Sequence, residues 1–139
     1  LKPSHVREVL KKTLPAGLNV MLVGAPGVGK TSILQQTAAE CEMDVVTIYA
    51  ALQDPTEPGG VLWPGDAGAR YIFSPEMYKL FETAKPTVAF LDDFGQAPNA
   101  TQAAWMQWTL SREVHGKRIA DNVTFVIGTN RRQDRAGVT

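Results

Sequence analysis

Eight consecutive residues, Gly24, Ala25, Pro26, Gly27, Val28, Gly29, Lys30 and Thr31, fit the pattern G-x-x-x-x-G-K-[ST] at every fixed position. The residue types explain the spacing. Glycines let a backbone close around a phosphate with successive N–H groups turned inward, and the N-terminus of a following helix adds a favourable dipole. In such a loop Lys30 reaches the β- and γ-phosphates of a nucleotide, and the Thr31 hydroxyl is placed to hold Mg2+. Ser32, next in the chain, belongs to the same binding segment. A second group of chemical residues follows sixty positions later, where four apolar residues, Val88 to Leu91, run into Asp92 and Asp93. Carboxylates at the C-terminal end of a buried strand lie where parallel sheets bind their ligands. Asp92 is the candidate for the magnesium shell, through water, and Asp93 for the general base that polarises an attacking water. Without a nucleotide, the same two acids would simply cap the turn after the strand. A third run ends in Gly128, Thr129 and Asn130. Asn130 would fall between the other two strand ends, within reach of the γ-phosphate or the water. Asparagine is also a common turn residue, so a purely local role stays open.

These residues can meet only if strands and helices position them. A short helix is expected from Pro3, with Val6, Val9, Leu10 and Leu14 on one face and a stop at Pro15 to Gly17. The run 19–23 suits a buried parallel strand and leads into the glycine-rich loop, and 30–42 is predicted as the helix that leaves it. A second strand is expected over 45–50, a third over 87–91 and a fourth over 123–128. Ser74-Pro75-Glu76 is a helix start, with serine as N-cap and proline in the first turn. Asn99 with Gln102 reads as a capping-box-like start for another helix. Residues 52–73 hold Pro55, Pro58 and Pro64 and four glycines, too long a connection for a simple turn. The alternation argues for an α/β domain with a parallel sheet.

Composition narrows the class. The chain has 139 residues, 44% apolar and 20% charged, and its 14 Lys and Arg are balanced by 14 Asp and Glu. That is one soluble domain's worth of core. No apolar run approaches the ~18 residues of a membrane span, and no basic-then-apolar leader opens the sequence. The single cysteine, Cys41, makes neither an internal disulfide nor a thiolate metal site, which suits a reducing, cytoplasmic setting. The chain opens on Leu1 and is expected to be a piece of a longer protein. Its zero net charge hides two poles. Between Lys30 and Arg70 there are six acids (Glu40, Glu42, Asp44, Asp54, Glu57 and Asp66) and no base. From Arg112 onward there are six bases against three acids, with Arg131, Arg132 and Arg135 close together. Solvated faces and head-to-tail association of subunits both fit that distribution.

The three motifs, in this order and spacing, resemble the core of an AAA+ ATPase: Walker A at 24–31, Walker B at 90–93 and sensor 1 at Thr129-Asn130. The stretch from Leu91 to Gln102, with its acidic pair followed by Ala97-Pro98-Asn99-Ala100-Thr101-Gln102, is similar to the MoxR and magnesium-chelatase branch. So are the Pro/Gly-rich 54–60 and the tail 130–138. The resemblance implies a P-loop NTPase, a three-layer αβα sandwich that binds ATP or ADP with Mg2+. It implies a ring, commonly a hexamer, whose hydrolysis remodels or loads partner proteins. The arginine cluster past the sensor then faces either the next subunit or solvent. Two departures stand out. Asp93 occupies a position where the family usually has Glu, which opens the alternative of a slowly hydrolysing assembly switch. The family's fifth strand and helical lid are absent before Thr139, so 1–139 is expected to be a large subdomain truncated at its C-terminus, with 19–23 left as an unpaired edge.

A DNA-associated loader on the same fold is a further alternative, although zero net charge and an acidic middle argue against a large nucleic-acid footprint. Around the site, the aromatic-bearing 59–73 would line the pore of such a ring. Trp63 is its candidate substrate contact, while Tyr71 and Phe73 are expected in the core. A hairpin is expected over 113–121, before the fourth strand, as a second candidate to face the pore. Trp105 and Trp108 read as packing residues. His5, His115 and Cys41 have no partners at ligand spacing and receive no catalytic role.

Overall fold

The structure is a computed structural model that describes residues 3–24 and 29–129. Ala25, Pro26, Gly27, Val28, Asn130, Arg131, Arg132 and Arg135, all singled out above, lie outside the described residues. Four parallel strands form the central sheet: β1 (Val20–Val23), β2 (Asp44–Tyr49), β5 (Thr87–Asp92) and β8 (Val123–Thr129). Their spatial order is β1-β8-β5-β2, so the two most apolar strands are central. Helices α1 (Pro3–Thr13) and α2 (Lys30–Glu40) cover one face; α4 (Pro75–Glu82) and α5 (Asn99–Met106) cover the other.

The period-2 alternation of the central strands produces these two layers. On β5, Val88 and Phe90 join Leu10, Leu14, Leu34, Ala38 and Val126 in one core. Ala89 and Leu91 point the other way and meet Met77, Leu80, Phe81, Trp105, Trp108 and Phe125. A strand buried on both faces needs an apolar residue at every position, and β5 is buried from Thr87 through Leu91. Both tryptophans are fully buried, as their spacing predicts, and each indole N–H has an acceptor. Trp105 Nε1 donates to Gln53 Oε1 at 2.8 Å and Trp108 Nε1 to the Pro58 carbonyl at 2.7 Å. These two bonds fix the long 52–73 connection to the second core.

That connection is built from a single helical turn, α3 (Thr56–Gly59), and an antiparallel hairpin of β3 (Val61–Gly65) and β4 (Gly68–Ile72). The hairpin projects from the body: Leu62 and Trp63 are more than half exposed. Tyr71 corrects the expectation of a core residue. It is 42% exposed and stacks flat on His115, ring centroids 3.5 Å apart and planes 4° from parallel. Phe73, one alternation further on, does pack inward, edge-on to Trp108 and against Phe81. His115 sits in the tight turn of a second hairpin, β6 (Glu113–Val114) with β7 (Lys117–Arg118), and its Nε2 lies 2.7 Å from the Gly59 carbonyl oxygen.

Three boundaries differ from the sequence reading for local reasons. β1 begins at Val20 because Asn19 pairs through its side chain: its Oδ1 accepts from the Phe125 N–H at 3.0 Å, and its Nδ2 donates to the Thr109 carbonyl at 3.1 Å. α2 ends at Glu40, and Glu42 turns left-handed at φ 57° to start the path into β2. α5 has Pro98, not Asn99, at its N-cap, so Asn99 is the first helical residue; Gln102 reaches back with its amide to the Ala97 carbonyl at 3.0 Å. The acidic middle is partly neutralised inside the chain, since Glu40 pairs with Arg7 and Lys11, and Asp44 with Lys85.

Candidate functional site

Three strand ends converge at the C-terminal edge of the sheet. β1 runs into Gly24, β8 ends at Thr129 and β5 ends at Asp92, while α2 begins there with Lys30. Val23 is in register with Thr129, and the Gly24 N–H donates to the Thr129 carbonyl at 3.1 Å, so the first and last strands close against each other at the site. Gly29 leads into α2 at φ 76°, a left-handed conformation that strongly favours glycine. The first turn of α2 then places Lys30 over the edge. Its Nζ donates to the Gly24 carbonyl at 3.2 Å and to the Thr129 carbonyl at 3.4 Å. The ammonium is thus held at the mouth of the loop by backbone oxygens of β1 and β8.

Thr31, one residue on, faces β5. Its Oγ1 donates to Asp92 Oδ2 at 3.4 Å, a long bond between two hard oxygen donors across 61 residues of chain. The other carboxylate oxygen of Asp92, Oδ1, accepts the Asp93 backbone N–H at 2.9 Å. Asp93 itself turns left-handed at φ 52°, a conformation that aspartate tolerates better than most residues. Its carboxyl is pushed above the ordinary aspartate range, first by partial burial and then by the neighbouring Asp92, while Lys30 pulls it back. A carboxyl with a raised proton affinity beside a second carboxylate and a lysine is the environment expected of an acid–base group.

The structure therefore brings together Gly24, Gly29, Lys30, Thr31, Asp92 and Asp93. Ser32 follows on α2 and is exposed. His5, Cys41 and His115 lie away from this edge, and among the described residues no group of three or more His, Cys, Asp and Glu side chains could hold a metal ion by itself. A magnesium ion would accordingly need nucleotide oxygens and water to complete its shell. The donors that are present, a threonine hydroxyl and one carboxylate, fit that requirement. Two parts of the site were not read from the sequence. One is the Asp93 N–H that fixes Asp92, a backbone group with no sequence signal. The other is Gly128 on β8, which lies against Asp92; a glycine inside an otherwise apolar strand is the signal that could have found it.

A parallel αβα sheet with a glycine-rich loop, a lysine and a facing aspartate at its C-terminal edge defines the P-loop nucleotide-binding class. Residues 20–136 match the ATPase family associated with various cellular activities (AAA), and the chain belongs to that family as an AAA+ ATPase module. The chain is 35% identical over 79 residues to the archaeal Lon protease of Archaeoglobus fulgidus, a match that covers 54% of this chain and 12% of the relative. Among solved structures it is similar to RuvB of Thermotoga maritima, in a P216G mutant (TM-score 0.65, 18% identity, 93% of this chain and 40% of that one). It is also similar to NtrX of Brucella abortus in complex with ATP (TM-score 0.60, 18% identity, 96% and 30%). The chain thus spans less than half the length of each of these proteins. Among the described residues no helix is long and apolar enough to cross a membrane.

Proposed function

We propose that this chain is the nucleotide-binding subdomain of a ring-forming AAA+ motor, on the MoxR-like side of the family, which hydrolyses ATP to remodel or load partner proteins. The observation that carries the reading is the meeting of Lys30, Thr31 and Asp92 at one sheet edge, with Thr31 Oγ1 3.4 Å from Asp92 Oδ2. Backbone N–H groups of 24–29 cradle the phosphates, and Lys30 exchanges its carbonyl partners for the β- and γ-phosphate oxygens. Thr31 and Asp92 are the residues that would hold Mg2+ with the nucleotide. Bound magnesium supplies charge neutralisation to the phosphate oxygens. Asp93 takes the proton of the attacking water as the water oxygen bonds to the γ-phosphorus and the bond to the β–γ bridging oxygen breaks. Asn130, next in sequence after β8, is assigned the role of orienting that water. The exposed β3–β4 hairpin, with Leu62 and Trp63 outward, grips the polypeptide being moved. The single cysteine suits a reducing cytoplasm.

Steady-state ATP turnover by the intact protein tests this. Lys30→Ala is expected to lower it by about a hundredfold or more, since removing one preorganised charge at the transition state costs that much. The departure at Asp93 favours one alternative, an assembly switch that binds ATP and hydrolyses it slowly. Aspartate is one methylene shorter than the family's glutamate, and about 1 Å of misplacement costs roughly a hundredfold. In a motor built around aspartate, Asp93→Glu loses turnover; a faster Asp93→Glu variant would identify the switch instead. The likeness to RuvB is one of fold, and salt-sensitive DNA binding at low ionic strength is the result that would move the reading to a DNA loader.

A further inference from the structure

We infer that Gly128 is a positioning residue for the Asp92 carboxylate, and that its missing side chain is what lets Asp92 serve Thr31 and Asp93 at once. The inference rests on the magnesium–nucleotide reading above and goes beyond it to a residue outside the three motifs.

Alternation places the parts on one face. Val126 and Gly128 of β8, and Phe90 and Asp92 of β5, all point toward the layer of α2, the helix that carries Lys30 and Thr31. Phe90 is wholly buried there. A Cβ built on Gly128 would lie 2.9 Å from Phe90 Cε1, 3.0 Å from Phe90 Cζ and 3.3 Å from Asp92 Oδ1. Real Cβ atoms do not tolerate the first of these distances, so something must move. The Phe90 ring takes the closest approach and must shift in its core, between strands tied by the β5–β8 ladder. Asp92 Oδ1, on the partly exposed end of β5, must give by a few tenths of an ångström as well. Asp92 Oδ1 is also the atom that accepts the Asp93 N–H at 2.9 Å, while Oδ2 faces Thr31. Turning the carboxylate to clear a methyl group therefore disturbs both contacts together: the oxygen offered to the metal shell and the bond that fixes the left-handed Asp93. Glycine at 128 removes that conflict at no cost to the ladder, because β8 still pairs Gly128 with Leu22 on its other side.

The role is separable from mere folding by the magnesium dependence of nucleotide binding. In the intact protein, a fluorescent ATP analogue is titrated with Mg2+ and again with excess EDTA, for wild type and Gly128→Ala. The expected result is that Gly128→Ala keeps its EDTA affinity within about twofold while the strengthening by Mg2+ falls by roughly tenfold, the usual scale for losing a group that orients a metal ligand. Unchanged strengthening, or an equal loss with and without Mg2+, would overturn the inference. If Gly128→Ala does not fold, the double variant Phe90→Leu with Gly128→Ala removes the ring atoms in conflict and leaves only the approach to Asp92. A persistent loss of magnesium strengthening in that protein supports the assignment, and full recovery overturns it. Wild type that binds no nucleotide under either condition sinks the underlying reading, an outcome distinct from a Gly128→Ala protein that matches wild type.

Discussion

At the scale of single residues, Asp93 holds its position against two unfavourable pressures: a left-handed backbone and a carboxyl that burial and Asp92 make reluctant to ionise. The second has a measurable consequence. A carboxyl whose folded pKa lies above its unfolded value favours the folded state fully only below the unfolded value, near 3.8. That contribution is lost as pH rises through the folded value, so ionised Asp93 weakens the nucleotide-free fold at neutral pH. Asp93→Asn is therefore expected to melt higher than wild type at pH 7, with the difference shrinking on acidification and gone below about pH 3.8, in thermal unfolding without nucleotide. A variant equally displaced at every pH would mean that the charge is not the cause. The left-handed backbone also gives a physical reason for aspartate rather than glutamate, since short polar side chains are enriched there. The sequence signals a turn after the strand, but not that Asp93 is the residue that turns left-handed.

Among the elements, the most plainly legible were those whose apolar runs serve two cores. β5 and β8 were legible because a strand buried on both faces needs an apolar residue at nearly every position. The phosphate loop was legible because its chemistry fixes residue types at fixed spacing. What escaped was decided by contacts between distant segments. Tyr71 looks like a core residue by alternation, yet it lies on the outer surface because His115, 44 positions later, offers it a stacking partner. Asn19 leaves the strand because its amide meets Phe125 and Thr109. The 52–73 connection gains its shape from acceptors supplied to two tryptophans. Trp108→Phe keeps most of the packing but strands the buried carbonyl of Pro58, which now accepts at 2.7 Å. A loss of about 1–3 kcal/mol in denaturant unfolding is expected, the cost of one orphaned buried polar group. Faster amide exchange confined to α3 and the first hairpin would accompany it.

On the scale of the whole molecule, the sheet is asymmetric in what its edges present. Along β1, Met21 and Val23 are each more than half exposed, and Leu18 just before them is too. No described strand pairs with the outer side of β1. Such an edge is a template for another chain's backbone. The 139-residue chain produced alone is expected to self-associate through it, and Met21→Lys to raise the concentration at which sedimentation first detects larger species. A charge there that leaves association unchanged would shift attention to the β3–β4 tip. Tyr71 rests on His115, His115 is bonded to the Gly59 carbonyl, and the hairpin that carries His115 returns within a few residues to β8. β8 ends where Lys30 touches the Thr129 carbonyl. The consequence is mechanical: two loops that are strangers in sequence are joined through a pair of stacked rings, and parting those rings would free the outermost aromatic residues from the hairpin that leads into β8.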